Sequence, residues 1–276
     1  MNTHPIAASS RRSFLRQLAA GSVGLTVGSR AVLAAAESAA GGGRKLGVAL
    51  VGLGSYSTHQ LAPALEQSSH CRLAAVVTGT PAKAKLWAEK YRLPDNSVYD
   101  YASMDGLANN PEVDVVYVVT PPGLHAEQTI RAAKAGKHVI CEKPMAVSVA
   151  ECDAMIAACR EAKVHLSIGY RLHWHPMWQE LKRLARVKDF GAFTRMTGVF
   201  GFHHGGRGWR VDKKLAGGGP LMDVGIYVVQ AACMAAGDVA PVAVTATEPP
   251  KQRPEVFREV EETVNFTLEW ADGARC

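Results

Sequence analysis

Residues 46–57 read Leu46-Gly47-Val48-Ala49-Leu50-Val51-Gly52-Leu53-Gly54-Ser55-Tyr56-Ser57. The first six form a continuous apolar run, as in strands buried on both faces of a parallel sheet. Two glycines follow, and Gln60–Gln67 then carries apolar residues at helical spacing. A second apolar run, Leu73 to Thr78, closes a strand–helix–strand unit. Strand, Gly-x-Gly and helix within such a unit form a dinucleotide fingerprint: the glycines let backbone approach a pyrophosphate, and the helix start offers unpaired N–H groups. Gly52, Leu53, Gly54, Ser55 and Tyr56 are the predicted contacts. Ser57 stands at the third glycine position, so the flanking strand and helix carry much of the assignment.

The end of the second strand bears on which dinucleotide binds. An acidic side chain there would bond the ribose 2′-hydroxyl of NAD. This chain has Thr78-Gly79-Thr80-Pro81-Ala82-Lys83 instead. Two hydroxyls and a lysine suit a 2′-phosphate, which wants donors and positive charge, so Thr78, Thr80 and Lys83 favour NADP over NAD. Each has a plainer role open to it: Thr80 before Pro81 as a helix cap, Lys83 as a solvated helix lysine.

The alternation continues with a helix over Pro81–Tyr91, a strand over Val113–Val119, and a helix from His125 to Ala135. His138-Val139-Ile140-Cys141 is the next strand, stopped by Glu142-Lys143-Pro144 because proline cannot donate to a ladder. A helix over Ser148–Ala162 and a strand over Val164–Gly169 complete the series. Repeated units with short connections give an α/β fold with a doubly wound parallel sheet. Gly52, Thr78, Thr120-Pro121 (with His125 following) and Glu142-Lys143 then share the carboxyl-terminal edge where such sheets bind ligands.

Past Arg171 the pattern changes. Met177–Val187 is a predicted helix; Ala192–Phe202, Val242–Thr247 and Val260–Trp270 are predicted strands, an α+β second domain covering the cleft. Between them, Gly217-Gly218-Gly219-Pro220 opens a helix on which Asp223 and Tyr227 are four apart and share a face. The glycine run would permit close approach of a ligand.

At the amino terminus, Arg11-Arg12 precedes a weakly apolar stretch from Leu18 to Ala36 that ends in Ala34-Ala35-Ala36. This pattern predicts a twin-arginine export signal over residues 1–36 and a periplasmic protein, with 37–45 a short lead-in. Gly21, Gly24, Gly28 and Arg30 make the stretch a poor membrane span. Of 31 basic residues, four lie in that signal, leaving 27 against 25 acidic ones. No basic field remains to suggest nucleic acid. The six cysteines include no Cys-x-x-Cys pair and are most simply core thiols. His173, His175, His203 and His204 offer metal-ligand types, but no carboxylate or cysteine lies at a matching spacing, so no metal is expected.

Val51-Gly52-Leu53-Gly54, Gly136 through Ala146, Ile168-Gly169-Tyr170-Arg171 and Trp209-Arg210 through Tyr227 together resemble the Gfo/Idh/MocA oxidoreductases, and most of all their glucose–fructose oxidoreductase branch. The resemblance implies a Rossmann domain (46–171), an open-faced α+β sheet domain for substrate and dimerisation (172–276), bound NAD(P), homo-oligomers, and hydride transfer with a glucose-like sugar or polyol, passed on to a second sugar such as fructose. By position it places Lys143 at nicotinamide and substrate hydroxyl, with Asp223 and Tyr227 across the cleft, and adds Arg171, Trp209 and Arg210 to the cofactor contacts. Tyr227 is then the acid/base, a neighbouring ammonium on Lys143 favouring its phenolate, and Asp223 positions the hydroxyl. Members resembling inositol dehydrogenase carry His where this chain has Tyr227. Ser55 stands where lysine is expected and Pro122 where asparagine is common, and the branch's long proline-rich arm has only a few residues here, between Ala36 and Leu46. Asp272-Gly273 is a strong hairpin signal with three residues after it, so the second domain is expected to be truncated. A non-catalytic sugar or nucleotide sensor on the same fold, or an inactive fragment of such an enzyme, are the competing readings.

Overall fold

The computed structural model describes residues 44–276; the paired arginines, the apolar stretch and the lead-in to residue 43 lie outside the described residues. Strand β1 (Leu46–Val51) leads through a π-helical turn (Ser57–Leu61) into α1 (Ala62–Gln67), then β2 (Cys71–Val77) and α2 (Pro81–Tyr91). There follow β3 (Val98–Tyr99), β4 (Val115–Val118), α3 (His125–Lys134), β5 (His138–Cys141), α4 (Val149–Glu161) and β6 (Leu166–Ile168). The six strands form one sheet in the order β3-β2-β1-β4-β5-β6, every pairing parallel. This is the doubly wound order with its switch point between β1 and β4.

The apolar runs are continuous because both faces of this sheet are covered. Ala49 and Val51 pack into one cluster with Val77, Val116, Val118, Val139 and Met155. Val48 and Leu50 point the other way, against Val76 and Trp87. Burying a side chain of that size is worth about 1.5–3 kcal/mol, so alternate residues on the same strand both need to be apolar. The edge strand β3 was not predicted; at two residues it has no periodicity to read.

The second part comprises α5 (Pro176–Val187), the short α6 (Lys213–Ala216), a π-helical turn (Leu221–Gly225) running into α7 (Ile226–Ala235), β7 (Ala243–Thr247) and β8 (Asn265–Glu269). The last two pair antiparallel. The predicted strand over Ala192–Phe202 is not formed. Among the described residues its backbone meets a ladder partner only at Arg275, which bonds Thr194 and Met196, and Gly198 and Gly201 follow. The predicted Val260–Trp270 strand begins only at Asn265; its first residues instead pack and hydrogen-bond around the glycine run. The predicted turn at Asp272-Gly273 is present, with Gly273 at φ 86° and Trp270 N–H donating to the Ala274 carbonyl at 2.9 Å. No helix among the described residues is long and apolar enough to cross a membrane.

Candidate active site

The sheet's carboxyl-terminal edge supplies the first wall. Gly52 adopts φ 95°, which favours glycine, and a Cβ there would sit 2.9 Å from Thr120 Cγ2. Gly54 faces open space, with nothing within 4 Å of where its Cβ would stand. Ser57, at the imperfect third position, is fully buried and donates to the Gly52 carbonyl at 2.6 Å, closing the strand-to-helix turn. Thr80 sits at the N-cap of α2 without a side-chain capping bond, so the capping role proposed for its hydroxyl is not used. Thr78 is buried and accepts from Thr80 N–H at 3.3 Å. Lys83 is exposed and has no ion pair among the described residues. A glycine cradle with room, an uncapped hydroxyl, a spare lysine and no acid at β2 together fit a dinucleotide.

Two predicted contacts stand back from this edge. His125 is fully buried, its Nδ1 2.9 Å from the Pro144 carbonyl and its Nε2 2.8 Å from the Thr120 carbonyl. One ring nitrogen faces the turn after β4 and the other the turn after β5, the protonated one donating to its carbonyl, so His125 is placed behind the edge rather than in reach of a ligand. Burial also pushes its pKa down. Thr120 is buried and donates to Gln128 Oε1 at 2.6 Å. Pro121, partly buried, accepts from Leu124 N–H at 2.9 Å. Gly123 in the same turn lies so close to Lys214 that a Cβ would run into its carbonyl oxygen, which fixes this loop against α6.

Glu142 and Lys143 follow β5 and diverge. Glu142 accepts from the Tyr117 hydroxyl at 2.7 Å, and burial raises its pKa against the lowering influence of that bond, Lys143 and Arg171. Tyr117 was missed by the sequence reading; its one signal was a hydroxyl-bearing ring inside the valine run of β4. Gly169 leaves room for the pair, since a Cβ there would fall 2.7 Å from Glu142 Oε1. Tyr56 reaches into the same cluster, with Glu142, Arg171, Tyr227 and Tyr117 all bearing on it, and burial raises its pKa.

Lys143 meets the opposite wall. Its ammonium donates to the Asp223 backbone carbonyl, lies 3.3 Å from Asp223 Oδ1, and stands 4.8 Å from the centre of the Tyr227 ring. The second carboxylate oxygen of Asp223 accepts from Arg210 Nε at 2.7 Å. Arg210 in turn stacks on Trp209 at 4.3 Å. Asp223 lies in the π-helical turn and Tyr227 in the first turn of α7, so the predicted shared face holds across the change of helix type. Tyr227 is 7% exposed, and its ring packs 5.6 Å from that of Phe200.

The expectation that Lys143 favours the Tyr227 phenolate is corrected. Lys143 lies over the ring, 4.8 Å from its centre. Burial dominates and raises the phenol's pKa, with Arg171, hydrogen-bonded to it, pulling the other way and Glu142 and Asp223 adding to the rise. The glycine run also packs tightly against the chain. A Cβ at Gly217 would lie 2.6 Å from Val147 Cγ1, one at Gly218 2.9 Å from Met222 Cγ, and one at Gly219 would run into the Glu261 carbonyl oxygen. In the direction of a Cβ the space is filled by the chain itself, and Glu261 Oε1 accepts from Leu221 N–H at 3.3 Å where the helix begins; on another side Gly218 and Gly219 line a cavity. No sequence signal marked Glu261. Beside Asp223 and Arg210 opens a cavity of about 590 Å³ that His203 and His204 also line. No group of three metal-ligating side chains occurs among the described residues.

Comparison with known proteins decides the family. The Gfo/Idh/MocA description "oxidoreductase family, NAD-binding Rossmann fold" matches residues 46–170, and the C-terminal domain of the same family matches 178–276. The chain belongs to the Gfo/Idh/MocA oxidoreductase family. Within it, the chain is similar to an aldose–aldose oxidoreductase from Caulobacter crescentus, whose crystal structure is a complex with glycerol. Identity is 44%, coverage 84% of this chain and 69% of that one, and the TM-score 0.76. A D-xylose 1-dehydrogenase (NADP+) from Haloferax volcanii is 34% identical over 201 residues, 72% of this chain and 60% of that protein. Another from Haloarcula marismortui is 30% identical over 204 residues, 72% of this chain and 56% of its own length. The chain thus spans less than two thirds of these two curated relatives.

Proposed function

We propose that the protein is an NADP-dependent oxidoreductase acting on the C–OH group of an aldose or related polyol, with a second sugar as a further hydride acceptor. The observation that carries this reading is the convergence of Lys143, Asp223 and Tyr227 at the sheet edge that also bears the open Gly54 cradle. Similarity to an aldose–aldose oxidoreductase and to NADP+-dependent xylose dehydrogenases supports the substrate class and cofactor. The nicotinamide, when bound, supplies the hydride acceptor or donor.

The chain's own residues handle the proton and the positioning. Lys143, 12% exposed, holds an ammonium where it can donate to a sugar hydroxyl, and Asp223, 15% exposed, can accept from one. Tyr227 takes the hydroxyl proton during oxidation and returns it to the carbonyl oxygen during reduction. Its raised pKa keeps it protonated at neutral pH, ready for reduction. Oxidation needs the phenolate, whose population grows as pH rises toward and past the ordinary phenol value of 10.0. Aldose oxidation by the purified chain with NADP should therefore accelerate through the alkaline range, and the reverse reduction should slow. A kcat/KM for oxidation that is flat in pH would count against the assignment, and absence of NADPH formation on a panel of aldoses would count against the function.

Cofactor choice has a separate test. Lys83→Ala should weaken NADPH binding by about tenfold and leave NADH binding unchanged, as removal of one charge-assisted phosphate contact should. Equal effects on both cofactors, read by fluorescence titration, would exclude a role at the 2′-phosphate.

A further inference from the structure

Tyr117 and Glu142 stand on one face of the sheet. Tyr117 pairs with Ile140 across β4 and β5, and Glu142 is two residues further on, so side-chain alternation sends both the same way. The Tyr117 ring packs against the cluster that holds Leu50 and Leu53, and its hydroxyl donates to Glu142 Oε1 at 2.7 Å. The other carboxylate oxygen, Oε2, accepts from the Lys143 backbone N–H at 3.3 Å. Glu142 N–H donates to the Val118 carbonyl at 3.0 Å. Pro144 carries no N–H, so the Lys143 amide is the last donor of this strand end, and the Glu142 carboxylate is its partner. Both Glu142 oxygens therefore have partners within the chain. Gly169, just past β6, borders the pair: a Cβ there would lie 2.7 Å from Glu142 Oε1 and 3.1 Å from the Tyr117 hydroxyl. From this backbone the Lys143 side chain crosses to the Asp223 carbonyl and to Asp223 Oδ1, the latter at 3.3 Å. A lysine is a point charge on a flexible stem, so where its ammonium sits depends on how its backbone is held.

We propose that Tyr117 is a positioning residue for Lys143: it holds the Glu142 carboxylate from one side while the Lys143 N–H holds it from the other, which fixes the backbone that aims the ammonium. Burial raises the Tyr117 pKa, so its hydroxyl stays protonated and remains a donor across the working pH range. Phenylalanine at this position would fill the same core space and leave one Glu142 oxygen without its donor. The inference rests on the proposed role of Lys143 at the sugar hydroxyl, and it gives β4 a part in that role.

The test uses the full chain, first without ligands and then with D-xylose and NADP. Lysines are acetylated briefly with acetic anhydride, and the modified fraction at Lys143 is read by peptide mass spectrometry against that at exposed Lys83. In Tyr117→Phe, Lys143 should label about fivefold faster, the net worth of one hydrogen bond, with Lys83 unchanged. The kcat for xylose should fall at least about tenfold while NADPH affinity stays within about threefold, because the ammonium is displaced and the glycine cradle is not. Gly169→Ala crowds Glu142 off the Tyr117 hydroxyl, so it should give the same pair of changes. It stands in for Tyr117→Phe if that variant does not fold. Lys143 labelling that does not rise overturns the inference, and so does a rise that leaves a measurable kcat unmoved. Raised labelling in the variants of a parent that never turns xylose over defeats the proposed reaction alone. Parent turnover with unchanged labelling in the variants defeats this inference alone.

Discussion

Tyr227→Phe should abolish sugar turnover and leave cofactor binding intact. The ring is what packs against Phe200 and lies beneath the Lys143 ammonium, and phenylalanine keeps the ring. Only the hydroxyl goes, and with it the group that exchanges a proton with the substrate. Loss of a positioned acid/base costs roughly 10²–10⁴-fold in rate, so kcat should fall by about that factor while NADPH affinity stays within about threefold. Arg171 loses its partner at the hydroxyl, but it is exposed and water can take that place. The alkaline rise in oxidation rate should disappear together with kcat. Unchanged turnover would remove Tyr227 from the chemistry, and a large loss of NADPH affinity would make it a binding residue.

Gly219→Ala should damage the second half of the site through the fold. Glu261 backbone occupies the place a Cβ would need, with Glu261 Cδ 2.9 Å and its carbonyl carbon 3.0 Å away. Backbone cannot rotate aside as a side chain can, so the methyl must displace the start of the helix that carries Asp223 and Tyr227. Overpacking of this kind costs about 1–3 kcal/mol. A lower Tm and at least about a tenfold loss of turnover are expected, with NADPH binding at the six-stranded sheet within about threefold of the parent. Gly218→Ala should be milder, because its contact at 2.9 Å is Met222 Cγ, part of a flexible side chain. If Gly219→Ala is as stable as the parent and loses only sugar affinity, the run is a ligand opening after all.

The difference between these two residues shows what was legible in the sequence. Tyr227 and Asp223 could be paired by helical spacing, and Lys143 could be placed by the proline that ends its strand, because both are local signals. The parallel sheet was legible for the same reason: buried strands such as Leu46–Val51 are apolar on both faces. The reason for the Gly217–Gly219 run was not, since Glu261 arrives from 40 residues away in the chain. His125 was read as a ligand contact because chain order puts it near the sheet edge, yet order says nothing of which way the ring turns. Tyr117 sat inside a valine run where a lone ring is most simply core. The alternating pattern of Ala192–Phe202 resembles a strand, but a strand also needs a neighbour, and Arg275 alone supplies one among the described residues. Lys143 was expected to lower the Tyr227 pKa; burial of the phenol raises it instead, and burial cannot be read from spacing.

Transfer of deuterium tests the account most directly. The purified chain is mixed with NADP and an aldose deuterated at C1, and the nicotinamide product is analysed by mass spectrometry. The account predicts one deuterium on the reduced nicotinamide ring and its loss when Tyr227 is replaced by phenylalanine. Reduced cofactor without deuterium, or bound sugar and NADP with no label transferred at any pH, would contradict it.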